Sequence, residues 1–136
     1  MDYSLPANDK ATSTLYALGI GNGASSETVG IGFTNTATNR LLVVAGGSTG
    51  INASSALRPN SQEQRIAVRL AQGDAYFAAS GEVGRSYALP AMPSGADTVF
   101  LGRYPNGGGA ANVLFVKSFR YFPATLSNTE LEALVA

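Results

Sequence analysis

Alternation of apolar and other residues over short stretches is the feature of this sequence that most restricts its fold. Two stretches, residues 27–34 and 65–70, show this alternation in strict form. Their apolar side chains fall on one face of an extended chain: Val29, Ile31 and Phe33 in the first stretch, and Ile66, Val68 and Leu70 in the second. A period of two is typical of a β-strand with one buried face, so both stretches are predicted to be strands of a layered structure.

Turns separate these two stretches from others of similar length. Residues 40–45 carry consecutive apolar side chains and end at two glycines, which predicts a buried central strand. The tripeptide at 72–74, Gln-Gly-Asp, predicts a hairpin turn. Residues 48–62 are polar and are predicted to form the longest loop. We predict about nine strands in total, with ranges that include 14–20, 27–34, 40–45, 65–70, 75–79, 82–89, 97–103 and 113–122.

The last residues carry the one clear helix signal in the sequence. Ser127 is followed three residues later by Glu130, which is the spacing of a capping box at a helix N-terminus. Leu126 and Leu131 have the spacing of a hydrophobic staple around the same cap. We therefore predict a short C-terminal helix and assign Glu130 to capping rather than to catalysis.

The composition favours one all-β domain. Gly, Ala, Ser, Thr and Asn make up half of the 136 residues, which disfavours long amphipathic helices and favours short strands with many turns. The hydrophobic fraction of 45% suffices for a single core. We expect one domain over residues 1–136, either complete or a piece of a longer chain, built as a two-layer antiparallel sandwich with a short C-terminal helix.

Charge and missing residue types argue against several functions. The formal net charge is zero, so no long-range field attracts nucleic acid or an anionic membrane surface. No apolar run is long enough to span a membrane, and the isolated domain is expected to be soluble. The chain has no Cys and no His, which removes a thiol nucleophile, a Ser-His-Asp triad and the usual zinc ligands. We predict no cofactor and no metal site.

A resemblance to a known superfamily rests on the order of several motifs along the chain. These are the early strand at 15–19, the hairpin at 65–81, Leu89-Pro90, the strand at 98–103 and the C-terminal stretch at 119–131. The most specific motif is the aromatic strand end followed by Leu126-Ser127 and Glu130-Leu131. In this order they resemble the concanavalin A-like lectin/glucanase superfamily, in the laminin-G-like form found in bacteriophage and prophage virion proteins. The resemblance spans most of the chain.

The resemblance implies a jelly-roll sandwich of two antiparallel sheets, often carried on a fibre, a spike or a capsid decoration. It further implies a location at the virion surface, a homo-oligomer within the particle, and as partners host cell-surface glycan, other virion subunits or both. The superfamily contains glycan-binding modules, glycan-cleaving enzymes and structural domains, so the resemblance alone does not choose among these classes.

The acidic residues argue against the enzymatic class. Glycoside hydrolysis needs two carboxylates about 5 to 10 Å apart that flank one bond. The glucanases of the superfamily carry this pair on one strand in a Glu-x-Asp pattern. No such pair occurs here, since the acidic residues before the helix stand alone at Asp2, Asp9, Glu27, Glu63, Asp74, Glu82 and Asp97. Glu130 and Glu132 are expected to point in different directions from the helix.

We predict that the chain is not an enzyme. An active or remnant glycan hydrolase stays an alternative because separate carboxylates can converge in a fold.

A glycan site, if the chain has one, is expected on loops. Sugar sites combine an aromatic platform with hydrogen-bonding groups, and Tyr104 lies in a glycine-rich loop where an aromatic ring has no strand position to fill. We predict Tyr104 as the contact residue, together with Arg103, Asn106 and Asp97. The loops that offer a site are 21–26, 48–62 and 103–111. The remaining aromatic residues of the sheets are expected to be core or sheet-packing residues: Tyr76, Phe77, Phe100, Phe115, Phe119 and Tyr121.

Two further readings stay open at this point. Asp97 with Asn106 or Asp74 supplies oxygen atoms of the kind that bind calcium, but these are too few to predict a site. A purely structural or oligomerisation domain without a ligand is the other alternative. Small residues such as those at 107–111 let chains approach closely, and virion parts assemble by symmetry.

Overall fold

The computed structural model describes residues 2–4, 15–34, 38–57, 63–102 and 115–136. In this part of the chain it contains ten strands and one helix. In chain order these are β1 (Asp2–Ser4), β2 (Leu15–Gly21), β3 (Thr28–Phe33), β4 (Thr38–Ala45), β5 (Ser48–Leu57), β6 (Gln64–Ala71), β7 (Asp74–Ala79), β8 (Arg85–Tyr87), β9 (Thr98–Leu101), β10 (Phe115–Ser118) and α1 (Asn128–Val135).

The strands form two five-stranded sheets. The first sheet has the order β10-β1-β6-β7-β8, and the second has the order β5-β4-β3-β2-β9. Every strand pair is antiparallel. The predicted class, an all-β two-layer antiparallel sandwich with a short C-terminal helix, is confirmed.

The core lies between the two sheets and is built from the alternating apolar residues. In the second sheet the buried inner positions come from four adjacent strands, with Leu18, Val29, Ile31, Phe33, Leu41, Val43, Ile51 and Ala53. In the first sheet they are Ile66, Ala75, Phe77 and Ala79, with Val68 and Leu70 partly buried against them. Because fully burying one such large apolar side chain stabilises a fold by about 1.5–3 kcal/mol, this layer accounts for most of the driving force.

The outer face of the first sheet is covered by α1. A second apolar cluster joins Ala67, Tyr76 and Ala78 of this face to Leu131 and Val135 of the helix. Both faces of the β6–β7 hairpin are therefore buried, one against the second sheet and the other against the helix.

The predicted helix start is confirmed in detail. Ser127 is the N-cap: its Oγ accepts the Glu130 backbone N–H at 3.3 Å, and the Glu130 carboxylate accepts the Ser127 N–H at 2.8 Å. Leu126 packs against the same apolar cluster as Leu131, as expected for a staple.

The predicted loop at 48–62 is wrong over its first ten residues, which form β5. This strand pairs with β4 along its length, and its Ile51 and Ala53 side chains are buried in the core. Its other side carries small polar residues such as Asn52 and Ser54, which are exposed. A strand at a sheet edge needs only one apolar face, so its composition resembles that of a loop.

Two other predicted strands are shorter than expected. The stretch 82–89 contains only β8, because residues 80–82 still belong to the turn after β7 and Glu82 N donates to the Ala79 carbonyl. The stretch 113–122 contains β10, which ends at Ser118, where its last pair with β1 is Asp2↔Ser118.

Candidate functional site

The predicted glycan-contact residues divide between the described and the undescribed parts of the chain. Arg103, Tyr104 and Asn106 lie outside the described residues, as does the rest of the predicted loop 103–111. Asp97 is described: it is exposed immediately before β9, and its Oδ1 accepts the Thr98 hydroxyl at 2.9 Å.

The register of β9 fixes where Asp97 lies relative to the start of that loop. Thr98 pairs with Gly21 at one end of β2, whereas Leu101 pairs with Leu18 further along the strand. Asp97 and Gly102 therefore flank opposite ends of a four-residue strand, which is about 13 Å long at the usual rise per residue. Asp97 therefore lies at the Gly21 end of β2, whereas Gly102, the last residue before the predicted loop, lies beside Ala17.

Asp74, the other oxygen donor considered for calcium, is already paired. Its Oδ2 accepts Arg69 Nη2 at 2.5 Å on the outer face of the first sheet. Across the described ranges there is no group of three or more His, Cys, Asp or Glu residues that is able to hold a metal ion.

The end of the sandwich that carries Asp97 is built from four chain reversals, and we call it the turn end. It comprises the β2–β3 connection at 22–27, the two-residue turns Gly46–Gly47 and Gln72–Gly73, and the segment 88–97 that crosses from β8 to β9. Gly46 and Gly47 have φ of 57° and 76°, which suits the primed turns that match strand twist. The predicted loop 21–26 lies at this end.

Glu27 connects three parts of the turn end. Its Oε1 accepts the Gly46 N–H and its Oε2 accepts the Ser94 N–H, each at 2.7 Å. The hydrogen bonds from Ser94 and then Gly46 favour the ionised carboxylate, which lowers the pKa of Glu27 below its ordinary value of 4.5. The neighbouring Gly47 N–H is accepted by the Ser26 carbonyl at 3.1 Å.

Three aromatic residues that follow β10 are exposed, which the sequence does not predict. Phe119, Tyr121 and Phe122 are 44%, 78% and 42% exposed, and they follow β10 in residues 119–123, which we call the aromatic segment. The expectation that Phe119 and Tyr121 are core or sheet-packing residues is therefore wrong. The strand ends at Ser118, so these side chains follow β10 and do not belong to the sheet.

The other aromatic expectations have mixed outcomes. Tyr76 and Phe77 are both 4% exposed and belong to the two apolar clusters, as predicted. Phe100 is partly buried on β9. The side chain of Phe115 lies outside the described part. Pro123 was a usable signal for the aromatic segment, because proline disfavours the interior of a sheet and marks the end of a strand pattern.

A polar network fixes α1 to the first sheet. Arg69 Nη1 donates to the Leu126 carbonyl at 3.0 Å and to Asn128 Oδ1 at 2.8 Å, and the guanidinium lies 5.7 Å from the centre of the Tyr76 ring. The Tyr76 hydroxyl donates to Glu132 Oε1 at 2.5 Å. This bond, together with burial, raises the pKa of Tyr76 to about 12. The network holds the helix against the first sheet.

One shallow cleft lies between the edges of the sheets, where β5 faces β8. It is lined by Ser54, Ser55, Phe77, Ala79, Glu82, Val83, Arg85 and Tyr87. Its free volume is about 10 Å³, which is close to the least that holds one water molecule. The cleft is therefore too small to enclose a sugar ring.

A second exposed apolar surface lies on β9. Val99 and Leu101 pair with Ile20 and Leu18 and so face the same side as the core, yet they are 52% and 59% exposed. The strand is at the edge of its sheet and carries no charged residue. Charged side chains are one of the usual means by which edge strands avoid association, and β9 lacks them.

A comparison of the chain with protein-family models, with curated proteins and with solved structures finds no match in any of the three. Within the described ranges, no helix has the length and apolar character that crossing a membrane would require.

Proposed function

We propose that the chain is a non-enzymatic, lectin-like module at the surface of a phage-like virion, on a fibre, a spike or a capsid decoration. In this proposal it attaches the particle to host surface glycan or joins it to other virion subunits. The resemblance in motif order supports the virion assignment, and the two-layer sandwich is the architecture that this resemblance implies.

The aromatic segment is the observation that carries the binding proposal. Tyr121 is 78% exposed, and it lies between two partly exposed phenylalanines and beside the exposed Arg120. A tyrosine offers an apolar face that stacks on the C–H face of a sugar and a hydroxyl that hydrogen-bonds, and an adjacent guanidinium supplies further donors. None of these side chains belongs to either apolar cluster of the described residues.

The contacts of the acidic side chains support a non-enzymatic role. Six described carboxylates have hydrogen-bond partners: Glu27 with two backbone amides, Glu63 with Lys117, Asp74 with Arg69, Asp97 with Thr98, Glu130 with the helix N-cap, and Glu132 with Tyr76. A catalytic pair requires two carboxylates directed at one bond. The alternative of a glycan hydrolase predicts release of reducing sugar from host polysaccharide by the purified protein, whereas our proposal predicts none.

The exposed β9 edge favours a second candidate, a structural or oligomerisation domain without a glycan ligand. Burying Val99 and Leu101 against another virion subunit, including a copy of this chain, would remove apolar surface from water. The zero net charge means that copies do not repel one another over a distance.

A glycan array combined with a mass measurement in solution separates the two candidates. The wild-type chain is compared with Tyr121→Ala and Tyr104→Ala, and Tyr87→Phe, on β8, serves as a control. Saturable glycan binding that is lost in either alanine variant and kept in the control supports attachment. A stable symmetric oligomer without glycan binding supports the structural candidate, and a monomer that binds no glycan contradicts both.

A further inference from the structure

We propose that the Glu27 carboxylate is an acid-released clasp, which holds the crossing segment 88–97 against the β4–β5 turn at the turn end. This inference goes beyond the proposed function, because it concerns how one end of the sandwich keeps its shape and does not depend on which ligand the module takes.

The geometry of the clasp is that of one carboxylate between two backbone donors. Each oxygen accepts one N–H at 2.7 Å, from Gly46 on one side and from Ser94 on the other. Hydrogen bonds from amides to an ionised carboxylate are shorter and stronger than those between neutral groups. The two donors belong to connections that are about 50 residues apart in sequence, 46–47 and 88–97.

The two connections depend on Glu27 to different degrees. The β4–β5 turn is also held by its strand ladder and by the bond from Gly47 N to the Ser26 carbonyl. The crossing segment is anchored at its start, where Leu89 and Gly73 exchange backbone bonds and Gln72 Nε2 donates to the Pro90 carbonyl. Between Pro90 and Asp97, Glu27 is the one hydrogen-bond partner from another part of the chain among the described residues. The segment is therefore the part that is released when the clasp fails.

Protonation removes the clasp by a simple chemical change. A proton from solvent converts one acceptor oxygen of Glu27 into a donor, which then faces an N–H group that is also a donor. The carboxyl can still accept one amide through its remaining carbonyl oxygen, but it no longer accepts both. Because its amide partners lower the pKa of Glu27, release occurs in acid below its ordinary value of 4.5.

Among the described residues, few other charged groups lie near the clasp. The sequences of the three adjoining stretches, 21–26, 45–49 and 88–97, contain only one other titratable residue, Asp97, which is bonded to Thr98. The neighbouring hairpin turn brings Asp74, which is paired with Arg69. Titration of the clasp is therefore expected to follow Glu27 itself.

The test compares wild type with Glu27→Gln, and Glu82→Gln is the matched control because Glu82 also lies in a surface connection. NMR measures the amide shift and the protection from solvent exchange of Gly46 and Ser94, from about pH 7 down to about pH 2. Val43, in the core of β4, reports whether the whole fold is retained.

We expect the Ser94 amide to follow a single titration below pH 4.5 in wild type and in the control, and not in Glu27→Gln. At neutral pH the Glu27→Gln variant should lose about tenfold in protection at Ser94 and less at Gly46, with Val43 unchanged. Equal protection of Ser94 in all three proteins at neutral pH overturns the proposal. So does a wild-type acid transition in which Ser94 and Val43 lose protection together, because that is global unfolding.

Discussion

Two tyrosines beside the first sheet show how similar sequence signals lead to different environments. Tyr76 is 4% exposed under α1, whereas Tyr121 is 78% exposed in the aromatic segment that leads to the same helix. Both occur next to a phenylalanine in stretches that the sequence predicts to be strands. The difference arises from what packs over each ring. Tyr76, in the β6–β7 hairpin, lies beneath α1, whereas Tyr121 lies beyond the end of β10.

The covered region is held by directional bonds as well as by apolar contact. Arg69 ties the start of α1 to β6, and Arg65 Nη1 donates to the Ala136 carbonyl at 2.6 Å at the other end of the helix. Gly84 fits this arrangement closely, because a Cβ at this position would clash with the Tyr76 hydroxyl group.

The largest expected effect comes from removing apolar contact under the helix. Leu131→Ala should reduce the free energy of unfolding by about 2–5 kcal/mol, because Leu131 is 4% exposed and its loss leaves a cavity against Ala67 and Tyr76. Urea unfolding measures the change. Leu101→Ala, at a position that is 59% exposed, is the matched control and should change it much less. Equal effects of the two substitutions would mean that α1 is not docked.

The next effect concerns the hydroxyl of Tyr76. Tyr76→Phe should cost about 1–3 kcal/mol, because it removes the donor to Glu132 and leaves that carboxylate with the Gly84 N–H at 3.3 Å. The raised pKa of Tyr76 means that the fold favours the neutral phenol. The stabilisation of the fold by the neutral Tyr76 hydroxyl is therefore complete below pH 10 and is lost as the pH rises through about 12.

The free energies of unfolding of wild type and Tyr76→Phe are measured from neutral pH into this alkaline range. They check both the cost of the substitution and its dependence on pH. The two proteins should become more alike as the pH rises. A difference that stays constant across the range would show that the Tyr76–Glu132 bond does not determine it.

The helix cap is expected to have a smaller effect. Ser127→Ala should cost about 1 kcal/mol, since the Glu130 backbone N–H loses its acceptor. Bonds from Ser127 also lower the pKa of Glu130, so the stabilisation from that carboxylate is present above its ordinary value of 4.5 and is lost as the pH falls through the lowered value. Thermal unfolding near neutral pH measures the cost of Ser127→Ala, and the same measurement in acid shows whether the contribution of Glu130 is lost. Thr125→Ala, just outside the cap, is the control, and an equal change in the two variants would contradict the capping role.

Local signals in the sequence predicted the parts of the fold that local chemistry determines. The capping box, the hairpin at 72–74 and the inward residues of β3 and β6 follow from spacing alone, and the structure contains each of them. Strand β5 was missed because an edge strand with small polar residues on its open face has the composition of a loop. The end of β10 was missed because it depends on where the pairing with β1 stops, which is a long-range property.

The candidate site was less predictable than the fold for the same reason. Whether an aromatic residue is core or surface depends on what packs over it, and residue type does not carry that information. Glu27 gave no sequence signal, because its two donors are backbone N–H groups and any residue other than proline supplies one. The proposed contact at Tyr104 stays a prediction.

The smallest expected effect on stability is at Tyr121, and it distinguishes the two tyrosines by function. A side chain that is 78% exposed contributes little to the core, so Tyr121→Ala should change the free energy of unfolding by less than about 0.5 kcal/mol. If the aromatic segment is a sugar platform, the same substitution should weaken glycan binding by about 1 kcal/mol or more, because stacking is lost. Tyr121→Phe keeps the ring and should retain most of the affinity, which separates stacking from the hydroxyl contact. Titration calorimetry with a glycan selected on the array measures these affinities beside urea unfolding of each variant. Loss of stability without loss of binding would place Tyr121 with Tyr76 as a structural residue and would remove the aromatic segment as the binding surface.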